Sequence, residues 1–283
     1  MKWWDNFKEK RAKKIQEKRD RLLREGKLAK RGKVALCLGG GGARGFAHVG
    51  AIKAFIERNI KFDMVVGTSA GSLVGALYAG GASVEKIMSY ADALSMKDIK
   101  SGFFLKPGDP KKVGKIVTDI IGEKNIEDLS LPFYAVATDL VESRQVILDS
   151  GSVSDAVSAS CAVPLVFKPV VMGEKHLVDG GLLNNIPADV CRMLGADIVI
   201  TVDVNPTRGE GTEELGLVPV LKATFSIMSA NSSERGLINS DIIIATDLSK
   251  FRSTKKDGYE EMVELGYRAT MEKMDEVIKL IYK

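Results

Sequence analysis

The sequence predicts an α/β fold with three layers: a mostly parallel central sheet with helices on both faces. Short apolar, β-prone runs recur at 34–38, 62–66, 133–138, 145–149, 176–178, 197–203 and 241–246. Helical patterns fill most of the intervals, and that alternation argues for strands laid parallel by crossover helices. The first two strand-to-helix junctions are glycine-rich, as tight turns at a sheet's end require. A chain of 283 residues suits one domain of this class, and neither an internal repeat nor a long low-complexity linker divides it.

Residues 1–32 are read as a basic amphipathic helical arm ahead of a domain at 33–283. Residues 1–33 hold 14 Lys/Arg and 5 Asp/Glu, a net of +9; the whole chain is +4, which leaves −5 on residues 34–283. The arm has no proline, and only Gly26 precedes Gly32, so helix is allowed. Trp3, Trp4 and Phe7 cluster at its tip, and aromatic anchors followed by Lys/Arg suit an anionic membrane surface. A solvated basic tail is the plainer reading of such a run. Nucleic acid is not expected as a partner, because nothing after residue 33 looks like a nucleic-acid module.

Val34–Leu38 reads as a buried strand that runs into Gly39-Gly40-Gly41-Gly42-Ala43-Arg44-Gly45 and then into a helix. A glycine-rich loop opening a helix presents backbone N–H groups to anionic oxygen. Gly40, Gly42 and Gly45 also fit the dinucleotide pattern Gly-x-Gly-x-x-Gly. That site wants an acidic residue at the end of the next strand, whereas Asp63 falls at the start of its strand. The far end of that strand carries Val66-Gly67-Thr68-Ser69-Ala70-Gly71, a Gly-x-Ser-x-Gly turn that pushes a serine up at a helix start. The Gly40–Ala43 loop beside such a serine is better read as an oxyanion hole, with the Ala70 N–H as a further donor. Arg44 either orders the loop, meets a headgroup, or is a surface cation poorly placed at a helix start. The third motif is Leu177-Val178-Asp179-Gly180-Gly181, which puts a carboxylate at a strand end; its plain reading is an Asp-Gly turn.

With these residues the chain resembles the patatin-like phospholipases, most of all their compact bacterial members, over roughly residues 33–250. The resemblance rests on Gly-x-Gly-x-x-Gly at 40–45, Gly-Thr-Ser-Ala-Gly at 67–71 and Asp-Gly-Gly at 179–181, in that order. Ala137-Thr138-Asp139-Leu140 and Ser158–Pro169 add to it. It implies a dyad, with Ser69 as nucleophile and Asp179 as base, acting on lipid esters without a cofactor. The histidines agree: there are only His48 and His176, and neither follows Asp179. The usual Ser–Asp–His order of α/β-hydrolases is therefore absent. His48 reads as a helix histidine held by a neighbour, and His176 as a solvated strand residue.

Residues 95–112 are expected as a mobile apolar flap and 205–216 as a flexible polar loop. The apolar helical stretch from Leu217 to Met228 would wall an acyl pocket or belong to the core. Cys37, Cys161 and Cys191 lack metal or redox spacing and read as reduced core thiols, and no residue cluster points to a metal. No secretory segment follows the early lysines and no run is apolar enough to span a bilayer, so a cytoplasmic protein peripheral on the inner face of the membrane is expected. A lipid acyl hydrolase leads the function classes. An acyltransferase using the same acyl-enzyme, a regulatory protein with little activity, and a nucleotide-binding protein are the alternatives.

Overall fold

The computed structural model describes residues 32–93, 107–205, 211–253 and 257–282, with isolated positions at 17, 21–22 and 25–26. Most of the basic arm and most of the apolar flap thus lie outside the described residues. Eight strands form one sheet: β1 (Val34–Leu38), β2 (Met64–Thr68), β3 (Phe133–Asp139), β4 (Arg144–Leu148), β5 (Val170–Met172), β6 (Lys175–Asp179), β7 (Ile198–Asp203) and β8 (Ile242–Ala245). The order is β5-β6-β3-β2-β1-β7-β8, and β4 also pairs with β3.

From β3 to β8 across β2, β1 and β7 the neighbours run parallel. β1 and β2 are buried at every residue. This is why they read as continuous apolar runs and not as alternation. β4, β5 and β6 add an antiparallel margin. β5 was not anticipated: it has three residues, follows Pro169 and exposes Val171, so it carries too little pattern to read.

One face of the sheet, including Leu36, Leu38, Val65 and Ala135, packs under helices α1 (Phe46–Glu57), α2 (Ala70–Ala79), α4 (Lys111–Ile121), α5 (Val153–Ser160) and α9 (Tyr259–Ile281). Between α2 and α4 comes α3 (Val84–Ala93). The other face, with Ala35, Cys37, Val66 and Val136, packs on α6 (Ala188–Met193) and on Leu237 of α8 (Glu234–Ile238). Burial of these side chains stabilises each layer by about 25 cal/mol per Å² of apolar surface removed from water. All three cysteines are buried and unpaired.

Helix α7 (Leu217–Asn231) departs from expectation. Only Ala223 is buried, while Leu217, Ile227 and Met228 are exposed, so the stretch is not core. Both sheet faces are already covered by other helices, which leaves α7 on the surface. No described helix is long and apolar enough to cross a membrane.

Candidate active site

The register of β3 brings the two key residues together. β2 pairs with the first half of β3, up to Thr68 opposite Val136. β6 pairs antiparallel with the second half, with Asp179 opposite Ala137. β4 overlaps both on β3, so β2 and β6 share the opposite edge. Ser69, where β2 leaves the sheet, therefore abuts Asp179, where β6 ends.

Ser69 sits at φ 52 and ψ −124, a backbone conformation that a non-glycine residue rarely adopts. Such strain costs about 1–3 kcal/mol and persists only where the surroundings over-determine it. They do so here. The Ser69 N–H donates to Ser160 Oγ at 2.9 Å, and the Ser160 hydroxyl donates to the Val136 carbonyl at 2.7 Å. The Ser72 hydroxyl donates to the Ser69 carbonyl at 2.7 Å. Gly71 is required by close approach: a Cβ there would lie 2.1 Å from the Leu38 carbonyl oxygen, and one at Gly67 would lie 2.5 Å from the Gly71 backbone. At the end of β6, a Cβ at Gly180 would meet the Val136 carbonyl at 2.3 Å.

Asp179 is 2% exposed. Its Oδ1 accepts the Gly181 N–H at 2.8 Å, and its Oδ2 forms no hydrogen bond. Burial pushes its pKa up from 3.8 to about 6; the neighbouring Ser69 hydroxyl and the Gly181 N–H pull the other way. The serine is thus near enough to favour the carboxylate, without a closed hydrogen bond to Oδ2. Contacts of this kind commonly tighten only around substrate.

The glycine loop lies against the serine: a Cβ at Gly40 would be 3.4 Å from Ser69 Cβ, and one at Gly45 would be 2.5 Å from Ala70 Cβ. Its donors divide. The Gly40 N–H is spent on the Asn185 carbonyl at 3.0 Å, and the Ala43 N–H on Ser253 O at 2.7 Å. The N–H groups of Gly41, Gly42 and Ala70 have no partner among the described residues. Arg44 is buried, donates through Nε and Nη2 to the Phe251 carbonyl at 2.9 and 2.7 Å, and bonds Asn205 Oδ1. It ties the loop down and is not the surface cation that a poor place at a helix start suggested.

His48 is fully buried, and its Nε2 bonds the Gly39 carbonyl at 2.8 Å. Burial lowers its pKa to about 4, so it is neutral at pH 7. His176 is exposed on β6. Asp63 accepts the Val34 N–H at 2.7 Å at the opening end of β1, the opposite end of the sheet from Ser69. No dinucleotide ribose could meet both Asp63 and the glycine loop. Sequence reasoning gave no role to Ser160 or to Asn185, whose carbonyl seats Gly40. Beneath the loop, an apolar cleft is lined by Gly42, Ala43 and Phe46 together with side chains of α2 and α4.

Comparison with known proteins gives the same reading of the fold. The family model described as patatin-like phospholipase matches residues 36–192. An uncharacterized NTE family protein of Mycobacterium tuberculosis is 36% identical over 183 residues, 61% of this chain and 49% of that one. Patatin-like phospholipase domain-containing protein 6 of Homo sapiens is 37% identical over 185 residues, 60% of this chain and 13% of that one. The chain thus spans about half of the first relative's length and a small part of the second's. Among solved structures, VipD of Legionella pneumophila aligns with a TM-score of 0.61 at 18% identity, covering 88% of this chain and 68% of that one. The matched stretch takes in both glycine turns, Ser69 and Asp179, and the chain belongs to the patatin-like phospholipase family.

Proposed function

We propose that residues 33–283 form a serine acyl hydrolase that cleaves carboxylic esters of lipids, whether phospholipids, lysophospholipids or simpler esters. The observation that carries the reading is the strained Ser69 abutting a buried Asp179 whose pKa is raised to about 6. An ordinary aspartate, with a pKa of about 3.9, is a poor base near neutrality. At about 6 the carboxylate is still mostly ionised at pH 7 and a far better proton acceptor.

Asp179 takes the Ser69 hydroxyl proton as Oγ attacks the ester carbonyl. The N–H groups of Gly41, Gly42 and Ala70, which have no partner among the described residues, are the donors for the oxyanion, each worth roughly 3–4 kcal/mol in the transition state. The C–O bond to the leaving alcohol breaks, and Asp179 returns the proton to that oxygen. Water then attacks the acyl-serine with Asp179 again as base, which releases the fatty acid and restores Ser69. The pKa of His48 and the exposure of His176 argue against either as the base. Similarity to a neuropathy target esterase of Drosophila melanogaster favours an ester as substrate. The arm at residues 1–30 would hold the protein to an anionic membrane surface.

The test is fatty-acid release from a panel of phospholipids, lysophospholipids and monoesters, comparing the full chain with Ser69→Ala. Release that disappears in the variant supports the reading; release that persists in Ser69→Ala overturns it.

A further inference from the structure

The apolar cleft beneath the glycine loop has a direction and a floor. Ala70, Leu73, Val74 and Leu77 line it. These are positions i, i+3, i+4 and i+7 of α2, hence one stripe of that helix. The stripe starts at Ala70, the residue after Ser69, beside Gly42 of the glycine loop, and it runs away from them along the helix axis. Leu77 at its far end lines the cleft together with Ile87 of α3 and Ile120 of α4, and all three are buried. The Lys86 ammonium donates to the Ile120 carbonyl and ties α3 to α4 at that end. The lining is almost wholly carbon, so it offers nothing to a headgroup or a phosphate.

We propose, resting on the Ser69–Asp179 reading, that this cleft is the slot for the acyl chain, and that its floor selects a medium-length chain. Ala70 and Leu77 are seven positions apart on α2, a depth of about 10 Å at 1.5 Å per residue. An extended alkyl chain advances about 1.25 Å per bond, the projection of a roughly 1.5 Å bond, so about eight carbons reach the floor. A longer tail must either displace Leu77, Ile87 and Ile120 or stay outside. Leu73, half-way down the stripe, sets how much chain enters before the floor is reached.

The experiment uses the full chain and a saturated p-nitrophenyl ester series from acetate to palmitate at fixed detergent. The fluorophosphonate reactivity and melting temperature of every variant are recorded. Wild type is expected to show its highest kcat/KM near octanoate and a fall of about tenfold or more by palmitate. Ile120→Ala deepens the slot and moves the optimum toward laurate, and the milder Ile120→Val moves it less while keeping the fold. Leu73→Trp fills the slot half-way and moves the optimum toward butyrate. A preference that keeps rising to palmitate, or an optimum unmoved by both folded Ile120 variants and by Leu73→Trp, overturns the slot and leaves the ester reading standing. A folded wild type with neither turnover nor fluorophosphonate labelling overturns the Ser69 reading, and the slot with it.

Discussion

Replacing Asp179 by asparagine separates what the site needs from what the fold prefers. The carboxyl is held at about 6 against an ordinary 3.8, mainly by burial. A difference of about two units corresponds to about 3 kcal/mol. The sign follows from proton binding. Below pH 4 both folded and unfolded chains carry the proton, and the site costs nothing. As pH rises from 4 to 6 the unfolded chain ionises first, stability falls, and above 6 the full cost of about 3 kcal/mol is in place. Asparagine carries no charge, and its Oδ1 can still accept the Gly181 N–H that now reaches Asp179 at 2.8 Å. Asp179→Asn is therefore expected to melt roughly 5 °C higher than wild type at pH 7. It should lose that advantage near pH 4, and its turnover should fall about 10³-fold. In wild type, kcat/KM should show an acid limb centred near 6, leaving about a tenth of the plateau at pH 5. Thermal melts from pH 4 to 8 and a pH–rate profile test both halves. An asparagine variant less stable than wild type at pH 7, together with a flat profile between pH 5 and 7, would refute the reasoning.

Ser160→Ala removes the acceptor of the Ser69 N–H and a donor to Val136; we expect a stability loss of about 1–3 kcal/mol, and steady-state kinetics should show kcat falling with KM nearly unchanged. His176→Ala should turn over like wild type. His48→Ala opens a cavity and frees the Gly39 carbonyl, so it should melt lower by about 1–3 kcal/mol of stability yet keep its reactive serine; loss of serine labelling in a folded His48→Ala would assign the base role to that histidine. Deleting residues 1–30 should weaken co-sedimentation with anionic vesicles and leave turnover of a soluble ester intact, and equal sedimentation of both forms would remove the arm from membrane binding.

Much of the site was legible because its geometry is forced by short stretches of chain. Gly67, Ser69 and Gly71 announce a turn too tight for side chains, and a Cβ at Gly71 would indeed lie 2.1 Å from Leu38 O. Asp179 was legible as the end of a short apolar run before two glycines. The contacts that finish the site are not local. Ser160 is 91 positions from Ser69, and Arg44 is 207 from Phe251, so no periodicity or spacing points to them. For the same reason the loop's spent donors, Gly40 and Ala43, could not be told from its free ones, Gly41 and Gly42: that depends on Asn185 and Ser253. Helix α7 misled because apolar composition reports what a helix could bury, and both faces of this sheet were already filled.

The most direct test of the central claim is intact-mass analysis after exposure to a short fluorophosphonate, comparing wild type, Ser69→Ala and Asp179→Asn. A strained serine activated by a buried carboxylate predicts one adduct on wild type at Ser69, none on Ser69→Ala, and a strongly slowed adduct on folded Asp179→Asn. An adduct that persists in Ser69→Ala, or one that forms at the wild-type rate in Asp179→Asn, would contradict it.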